Sequence, residues 1–369
     1  MTECFESAVV DAPFKEEIAD QDDMWFLNLY CDGPKHEITR VQFPLSDAAR
    51  ELIRPTALLK GEALSLDSKF PMIATETEDA LAIGPFTWSK KDGRLISMKR
   101  PDGTELLAAP AEEIFFRAPT DNDRMLDQDG TFAKDWIPLF HAERKLVDFK
   151  WEQTPGAGHY HVYVTTRIAD RIDSHVKWTI SSSQNRFLDY HQEATFKHDD
   201  LHSVARVGMI FPLVEGFENV KYFGRGPYEK YPDRTRASLV GRWETTESDM
   251  LENYLVPTEC GGRGKVFSLE LSGGDDEADA SKKLRVVRGT GIQFSALHVS
   301  PWDLMAADHS WELKPGKKTW LIVDGAHMGV GGDDGWSINV HEEYQLRARP
   351  SGYFLDFSLD FLGAEDEQQ

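Results

Sequence analysis

Leu81-Ala-Ile-Gly-Pro-Phe-Thr-Trp-Ser-Lys-Lys-Asp-Gly-Arg-Leu-Ile-Ser-Met-Lys-Arg-Pro-Asp-Gly-Thr-Glu-Leu-Leu107 is a series of short apolar runs broken by Lys91-Asp92-Gly93-Arg94 and by Pro101-Asp102-Gly103. Asp-Gly supplies the positive φ that tight hairpin turns demand, so the stretch predicts consecutive antiparallel strands. The same period of two recurs downstream. Tyr160, Val162 and Val164 alternate with His161, Tyr163 and Thr165, and similar runs lie at Val176 to Ile180, Phe187 to His191, Val204 to Phe211 and Trp320 to Val323. Many short strands with Gly and Pro punctuation, and few long amphipathic segments, predict an all-β chain: stacked antiparallel sheets in a large sandwich rather than a βαβ fold. One helix stands out. Ser300 is a cap, Pro301 suits the first helical position and Asp303 completes a capping box, which predicts a helix from Pro301 to about His309. A second short helix is expected after Ser46, ended by Pro55.

The first seventy residues hold only one or two convincing strands, around Trp25 to Tyr30 and Glu37 to Phe43. Two strands cannot bury a sandwich core, so this segment needs something outside itself to pack against. A boundary is expected near Lys69 to Ile73, separating residues 1–72 from a main domain at 73–365. Ser272 to Ser281 and the tail from Glu365 to Gln369 are small, acidic and aperiodic, as surface loops and tails are.

Lys and Arg total 41 against 63 Asp and Glu, a net charge of −22 with a pI near 4.9. Such a field repels phosphate backbones and anionic lipid, which argues against nucleic acid or membrane partners and leaves a neutral substrate such as a sugar unaffected. Three cysteines, Cys4, Cys31 and Cys260, are too few and too scattered for a disulfide framework or a structural zinc cluster. The N-terminus lacks a basic region followed by an apolar core, and no apolar run approaches the roughly 18 residues of a membrane helix. A cytoplasmic location is therefore expected.

The most unusual segment is Asp324-Gly-Ala-His-Met-Gly-Val-Gly-Gly-Asp-Asp-Gly-Trp336. Its glycines mark irregular backbone directly after a strand. An indole on such a loop offers a flat apolar face to the C–H face of a pyranose, while Asp333 and Asp334 can accept hydroxyl hydrogens. The plainer alternative is that Trp336 plugs the sandwich rim and the aspartates cap backbone amides. Asp121, Asn122 and Asp123, in Phe116-Arg-Ala-Pro-Thr-Asp-Asn-Asp-Arg124, suit a turn network better than a calcium loop, whose glycine order is absent. In Tyr222 to Arg234, Gly224-Arg-Gly226 is followed by Pro227 and by no helix pattern, which excludes a dinucleotide loop and favours a buried polar network. No spacing singles out a catalytic pair of carboxylates or a triad.

Taken together, Arg117-Ala-Pro-Thr-Asp-Asn-Asp123, Gly224-Arg-Gly-Pro-Tyr-Glu-Lys-Tyr-Pro-Asp-Arg234, Phe294-Ser-Ala-Leu-His298 and Asp324 to Trp336 resemble, in order and spacing, the C-terminal domain of β-galactosidases of glycoside hydrolase family two, found in heterodimeric versions as the small subunit. The likeness runs from about Ile73 to Leu362. Trp25 to Tyr30 and His36 to Leu45 look like the last strands of the immunoglobulin-like domain that precedes it. The resemblance implies an antiparallel supersandwich similar to galactose mutarotase, and it assigns Trp336 to the acceptor, or glucose, side of lactose. It also implies that no residue of this chain is catalytic. The family's two glutamates, and its magnesium and sodium ligands, belong to a barrel domain without counterpart here, so no cofactor or metal is expected on this chain, and the partner expected is a large catalytic subunit or N-terminal domains missing from this sequence. Alone the chain is expected to be inactive. Met125 replaces a glycine usual at the family's mobile loop, which puts loop closure in question. A stand-alone carbohydrate-binding module, and an aldose 1-epimerase, are the two other classes the sequence allows.

Overall fold

The structure, a computed structural model, describes residues 26–32, 37–46, 49, 72–100, 102–124, 133–155, 158–181, 188–197, 201–273, 283–332, 340–349 and 351–360. Pro55, Met125, Asp333, Asp334, Trp336 and the acidic tail lie outside them, as do most of the loop within Ser272–Ser281 and, Ala49 apart, the helix expected beyond Ser46.

The chain divides into two compact units, Met1–Leu59 and Lys60–Gln369. In the first, β1 (Phe26–Asp32) and β2 (Glu37–Pro44) pair antiparallel, with Leu27 opposite Phe43 and Leu29 opposite Val41. Leu29, Tyr30, Val41 and Phe43 are all exposed.

The second unit opens with an antiparallel four-stranded sheet, β3 (Ala74–Glu76), β4 (Ala80–Ile83), β5 (Phe86–Ser89) and β6 (Leu95–Met98). The Asp-Gly turns behave as the sequence predicts. Gly93 takes φ +76° and Gly103 φ +89°, values that an L side chain rarely adopts. The remaining strands are β7 (Glu112–Ile114), β8 (Arg144–Thr154), β9 (His159–Ile168), β10 (Ile172–Ser181), β11 (Leu188–Phe196), β12 (Arg206–Leu213), β13 (Asn219–Gly226), β14 (Leu239–Thr246), β15 (Arg263–Ser272), β16 (Lys283–Leu297), β17 (Thr319–His327) and β18 (Tyr353–Asp360). They form one antiparallel sheet of 12 strands, and the all-β expectation holds.

That sheet divides at β16. Arg285 to Val287 of this strand pair with β18, leading on through β11, β10 and β9 to β8, whereas Gln293 to Leu297 pair with β17, leading on to β12 and β7. The two arms fold over each other. Phe211 of β12 meets Phe357 of β18 with ring centres 6.0 Å apart, and from Phe357 the rings continue through Tyr190 (4.8 Å) and Trp178 (4.6 Å) to Trp88 of the small sheet (6.2 Å). Such ring pairs add roughly 0.5–1.5 kcal/mol each beyond the area they bury. β12 is buried at all eight positions, as a strand covered on both faces must be.

The Ser300 helix forms with its capping box, Ser300 Oγ accepting from Asp303 N at 3.0 Å and Asp303 Oδ2 from Ser300 N at 2.9 Å. It runs only Pro301–Ala306, shorter than expected. The Glu312 carboxylate takes the Asp308 and His309 amides at 2.9 and 3.3 Å, and that satisfies them outside a helix. Among the described residues no helix is long and apolar enough to cross a membrane.

Candidate functional site

Three sequence clusters about a hundred residues or more apart meet at the C-terminal end of β17. Arg117 is fully buried and grips Asp123 with both arms of its fork, Nε to Oδ2 at 2.9 Å and Nη2 to Oδ1 at 3.0 Å. Its remaining nitrogen, Nη1, donates to the carbonyls of Met328 and Gly329 at 3.2 and 2.8 Å. From the other side Asp233 Oδ2 accepts the amides of Val330 and Gly331 at 2.8 and 2.7 Å. Gly329 is required here. A Cβ on it would stand 2.6 Å from that same Asp233 oxygen, so only a bare Cα lets the backbone approach. Asn122 Nδ2 to Val330 O at 3.3 Å and Arg234 Nη2 to Gly331 O at 3.4 Å complete the anchorage.

Beneath this loop lies a buried polar network. Arg206 of β12 donates through Nη2 to Glu259 Oε1 at 2.5 Å and to His327 Nε2 at 2.8 Å, and its Nε stands 3.6 Å from Asp324 Oδ2. His327 Nδ1 gives its proton to Met328 O at 2.7 Å, which fixes a neutral ring whose Nε2 is free to accept. Burial, with the Arg206 charge added, pushes His327 down to about 4. Burial, the largest single cause, would raise Glu259, but Arg206, His327 and Arg117 together outweigh it and hold the carboxylate at about 2. Asp324 shows the opposite balance. Burial prevails over a more distant Arg206 contact and lifts its carboxyl to about 7, and Oδ1 has no hydrogen-bond partner. Tyr231, 1% exposed, reaches Glu259 Oε1 at 3.4 Å. The polar network expected of the Tyr222 to Arg234 segment is thus present around Tyr231 and Asp233.

Above the network opens a cleft of about 430 Å³. Asp121 and Asn122 line it, together with Glu229, Tyr231 and Arg234, the loop residues Val330 to Gly332, and Tyr254 to Val256, Thr258 and Glu259. Asp123 is not among the lining residues; it faces inward onto Arg117 and the Thr120 amide. Trp336, Asp333 and Asp334 fall between the described residues Gly332 and Val340. A Cβ on Gly329 would lie 2.9 Å from Val340 Cγ1, so both ends of that stretch sit beside the loop.

Three carboxyl groups line the cleft, those of Asp121, Glu229 and Glu259, and two of them are tied into the surrounding structure. Glu229 is raised by burial, yet Oε1 accepts from Tyr254 Oη and Oε2 from Gly261 N, at 2.9 and 2.8 Å. Glu259 is held as an anion by Arg206. Each is thus tied into the surrounding structure, Glu229 through both oxygens and Glu259 through Oε1. Among the described residues no three His, Cys, Asp or Glu side chains gather as a metal site, and the Asp123 oxygens are already taken by Arg117.

The segment Tyr254 to Glu259 escaped the sequence reading. Its only local signal is an acid, Glu259, set before Cys260-Gly-Gly262 in an otherwise apolar and small run, and spacing does not tie it to Arg206.

Comparison with known proteins bears on this architecture. Residues 84–359 match the family described as β-galactosidase small chain. The chain is 31% identical over 322 residues to a β-galactosidase of Lactococcus lactis subsp. lactis, covering 80% of this chain and 30% of that one. It is 28% identical over 334 residues to a β-galactosidase of Leuconostoc mesenteroides, covering 86% and 30%. The chain therefore spans about a third of the length of these curated relatives. Among solved structures, a galactose mutarotase related enzyme from Lactobacillus acidophilus aligns over 80% of this chain and 99% of its own, at 10% identity and a TM-score of 0.39.

Proposed function

The chain belongs to the β-galactosidase small-chain family, and from that premise we propose that it completes the acceptor side of a lactose-hydrolysing site whose catalytic carboxylates, with magnesium and sodium, stand on a larger chain that it joins. The observation that carries this reading is the cleft itself. It is built from Asp121 and Asn122, from Glu229, Tyr231 and Arg234, and from Val330 to Gly332, residues of the segments whose order and spacing carry the family likeness, while Glu229 and Glu259 among its acids are bonded as structural acceptors.

In this reading the chain's own residues bind and orient. Trp336 lies four residues beyond Gly332, a tether of at most about 14 Å, and its indole takes the apolar face of the leaving sugar while Asp333 and Asp334 accept hydroxyl hydrogens. Asp121 and Asn122 support the rim. Bond cleavage by retention needs two carboxyl groups about 5 Å apart, and these belong to the partner. Residues 1–72 serve as a docking arm, 73–365 as the small-chain domain, and the assembly works in the cytoplasm.

Mixing the purified chain with the large chain tests the reading. Nitrophenyl-galactoside turnover should appear on mixing and be absent from either chain alone. Trp336→Ala should weaken lactose about tenfold, or 1.4 kcal/mol, and nitrophenyl-galactoside less. Turnover by the pure chain that scales with its concentration and is abolished in Glu229→Gln would overturn the division of labour. Tight galactoside binding by the lone chain in calorimetry would make it a binding module, and catalysed mutarotation of fresh galactose an epimerase.

A further inference from the structure

Glu229 and Tyr231 line the cleft, and Lys230 between them does not. Its side chain is only 3% exposed and lies against β15 and β16, where a Cβ placed on Gly264 would stand 2.9 Å from its Nζ and 3.4 Å from Gln293 Oε1. The ammonium makes no hydrogen bond or ion pair with any described residue. A side chain so nearly covered, with no protein partner for its ammonium, leaves water or a small anion as the partner expected for it.

The neighbours make the imbalance worse. Arg225 of β13 and Lys265 of β15 are the charges that act on Lys230, and Arg225 and Arg288 those that act on Lys265, all of them lowering the affinity of the two lysines for their protons. Burial is the larger cause for both, and Lys230 is pushed down to about 7. Lys265 is exposed and sits in a bulge with φ +57°, a left-handed conformation that a lysine adopts only at a cost. Arg288 has Nε and Nη1 buried without a partner, as is Nε2 of Gln293. Its Nη2 stands 3.7 Å from Asp356, a carboxylate shared with His191. Four cations thus gather around one short stretch of sheet in a chain whose net charge is −22.

We infer that Lys230, Arg225, Lys265 and Arg288, with the Gln293 amide, form a binding site for a small doubly charged oxyanion of the sulfate or phosphate class, on the side of the Glu229 to Tyr231 segment opposite the cleft. The donor set fixes the class. An ammonium, guanidinium forks and an amide NH₂ offer hydrogen bonds to several oxygens at once. The burial of Lys230 limits the ligand to a small ion, and four cations facing one nearby carboxylate call for more than one negative charge. The exposed Lys265 marks the side of entry.

Titration calorimetry of the full chain with sodium sulfate, and separately with inorganic phosphate, at ionic strength held constant with chloride, tests the site. Saturable binding at one ion per chain is expected, weakened at least tenfold by Lys230→Met. Methionine fills the stem's volume and removes a buried charge, so that variant should melt no lower than the parent in sulfate-free buffer. Arg288→Met and Lys265→Met should each weaken sulfate as well and serve in its place if it misfolds. Absence of saturable heat in the parent, or equal sulfate affinity in the parent and all three variants, would overturn the assignment. So would acetate binding as tightly as sulfate, since a single carboxylate charge would then suffice.

Discussion

Arg117→Met tests whether the glycine loop is held from below. The guanidinium is fully buried, pairs bidentately with Asp123, and donates twice more to the loop carbonyls of Met328 and Gly329. Methionine fills much of the space and supplies none of these bonds. Asp123 would remain buried with the Thr120 amide as its surviving donor. Removing one member of a buried ion pair costs about 3–5 kcal/mol, because the stranded charge pays its desolvation without return. Orphaned carbonyls add about 1 kcal/mol or more each where water cannot reach them, and the adjacent cleft lets water reach some, so about 4 kcal/mol is expected in all. For a unit of this size that is a fall of roughly 8 °C in melting temperature. Urea unfolding followed by tryptophan fluorescence reads the loss. Asp123→Asn should cost nearly as much, and the double variant little more than either, giving a coupling of about 2 kcal/mol or above. A loss below about 1 kcal/mol for Arg117→Met, or a coupling below about 0.5 kcal/mol, would show that the fork does not hold the loop.

Three further outcomes follow from the same geometry. Asp324 has its carboxyl lifted from 3.8 to about 7, so the folded state holds that proton more tightly than the unfolded one. Its contribution to stability is full below pH 3.8, declines as pH rises to about 7 and stays lost above it, a swing of order 4 kcal/mol. Asp324→Asn should therefore gain on the parent between pH 5 and pH 8 in urea titrations, and an equal difference at both pH values would refute this. Gly329→Ala places a Cβ 2.6 Å from Asp233 Oδ2 and should cut reconstituted galactosidase activity with the large chain while leaving far-UV circular dichroism intact; unchanged activity would mean that the approach to Asp233 is dispensable. Trp178→Ala removes the second of the four rings that run from Trp88 to Phe357 and should cost about 3–5 kcal/mol in denaturant, a loss below 1 kcal/mol being inconsistent with a ring buried to 2% exposure.

What could be read in advance depended on how local its cause was. The hairpins of Leu81 to Leu107 were legible because Asp92-Gly93 and Asp102-Gly103 set their own backbone geometry. The division of the sheet at β16 was not legible. Nothing in Lys283 to Leu297 says that its two halves pair with different strands, because that choice is made by bulges against β15 and by partners elsewhere in the chain. The Ser300 cap was readable from adjacent residues, but the early helix end was not, since it depends on the Glu312 side chain folding back. The cleft followed the same rule. Clusters rich in Gly, Asp and Arg announced themselves, and their order carried the family likeness. That Asp123 spends both oxygens on Arg117, and that Glu259 answers Arg206, are facts of three-dimensional pairing with no sequence period to betray them.

The energetics of the loop show how far its order depends on distant residues. Ordering Met328 to Gly332 costs about 1–2 kcal/mol of backbone entropy per residue, or roughly 8 kcal/mol for the five. Four charge-assisted hydrogen bonds, two from Arg117 and two to Asp233, each contribute about 1.5–3 kcal/mol and together offset nearly the same amount. With the bonds of Asn122 and Arg234 and the backbone pairing of Met328 and Gly329 added, the loop is held, and the two charged anchors supply most of what holds it. Each anchor depends in turn on distant structure: Arg117 on its pairing with Asp123 beneath the sheet, Asp233 on the segment whose Tyr231 reaches Glu259, and Glu259 on Arg206 of the central strand β12. A shorter chain that kept the Asp324 to Trp336 segment but lost β12 or the Tyr231 stretch would leave that balance negative. The sugar platform proposed for this loop would therefore depend on β12 and the Tyr231 stretch behind it.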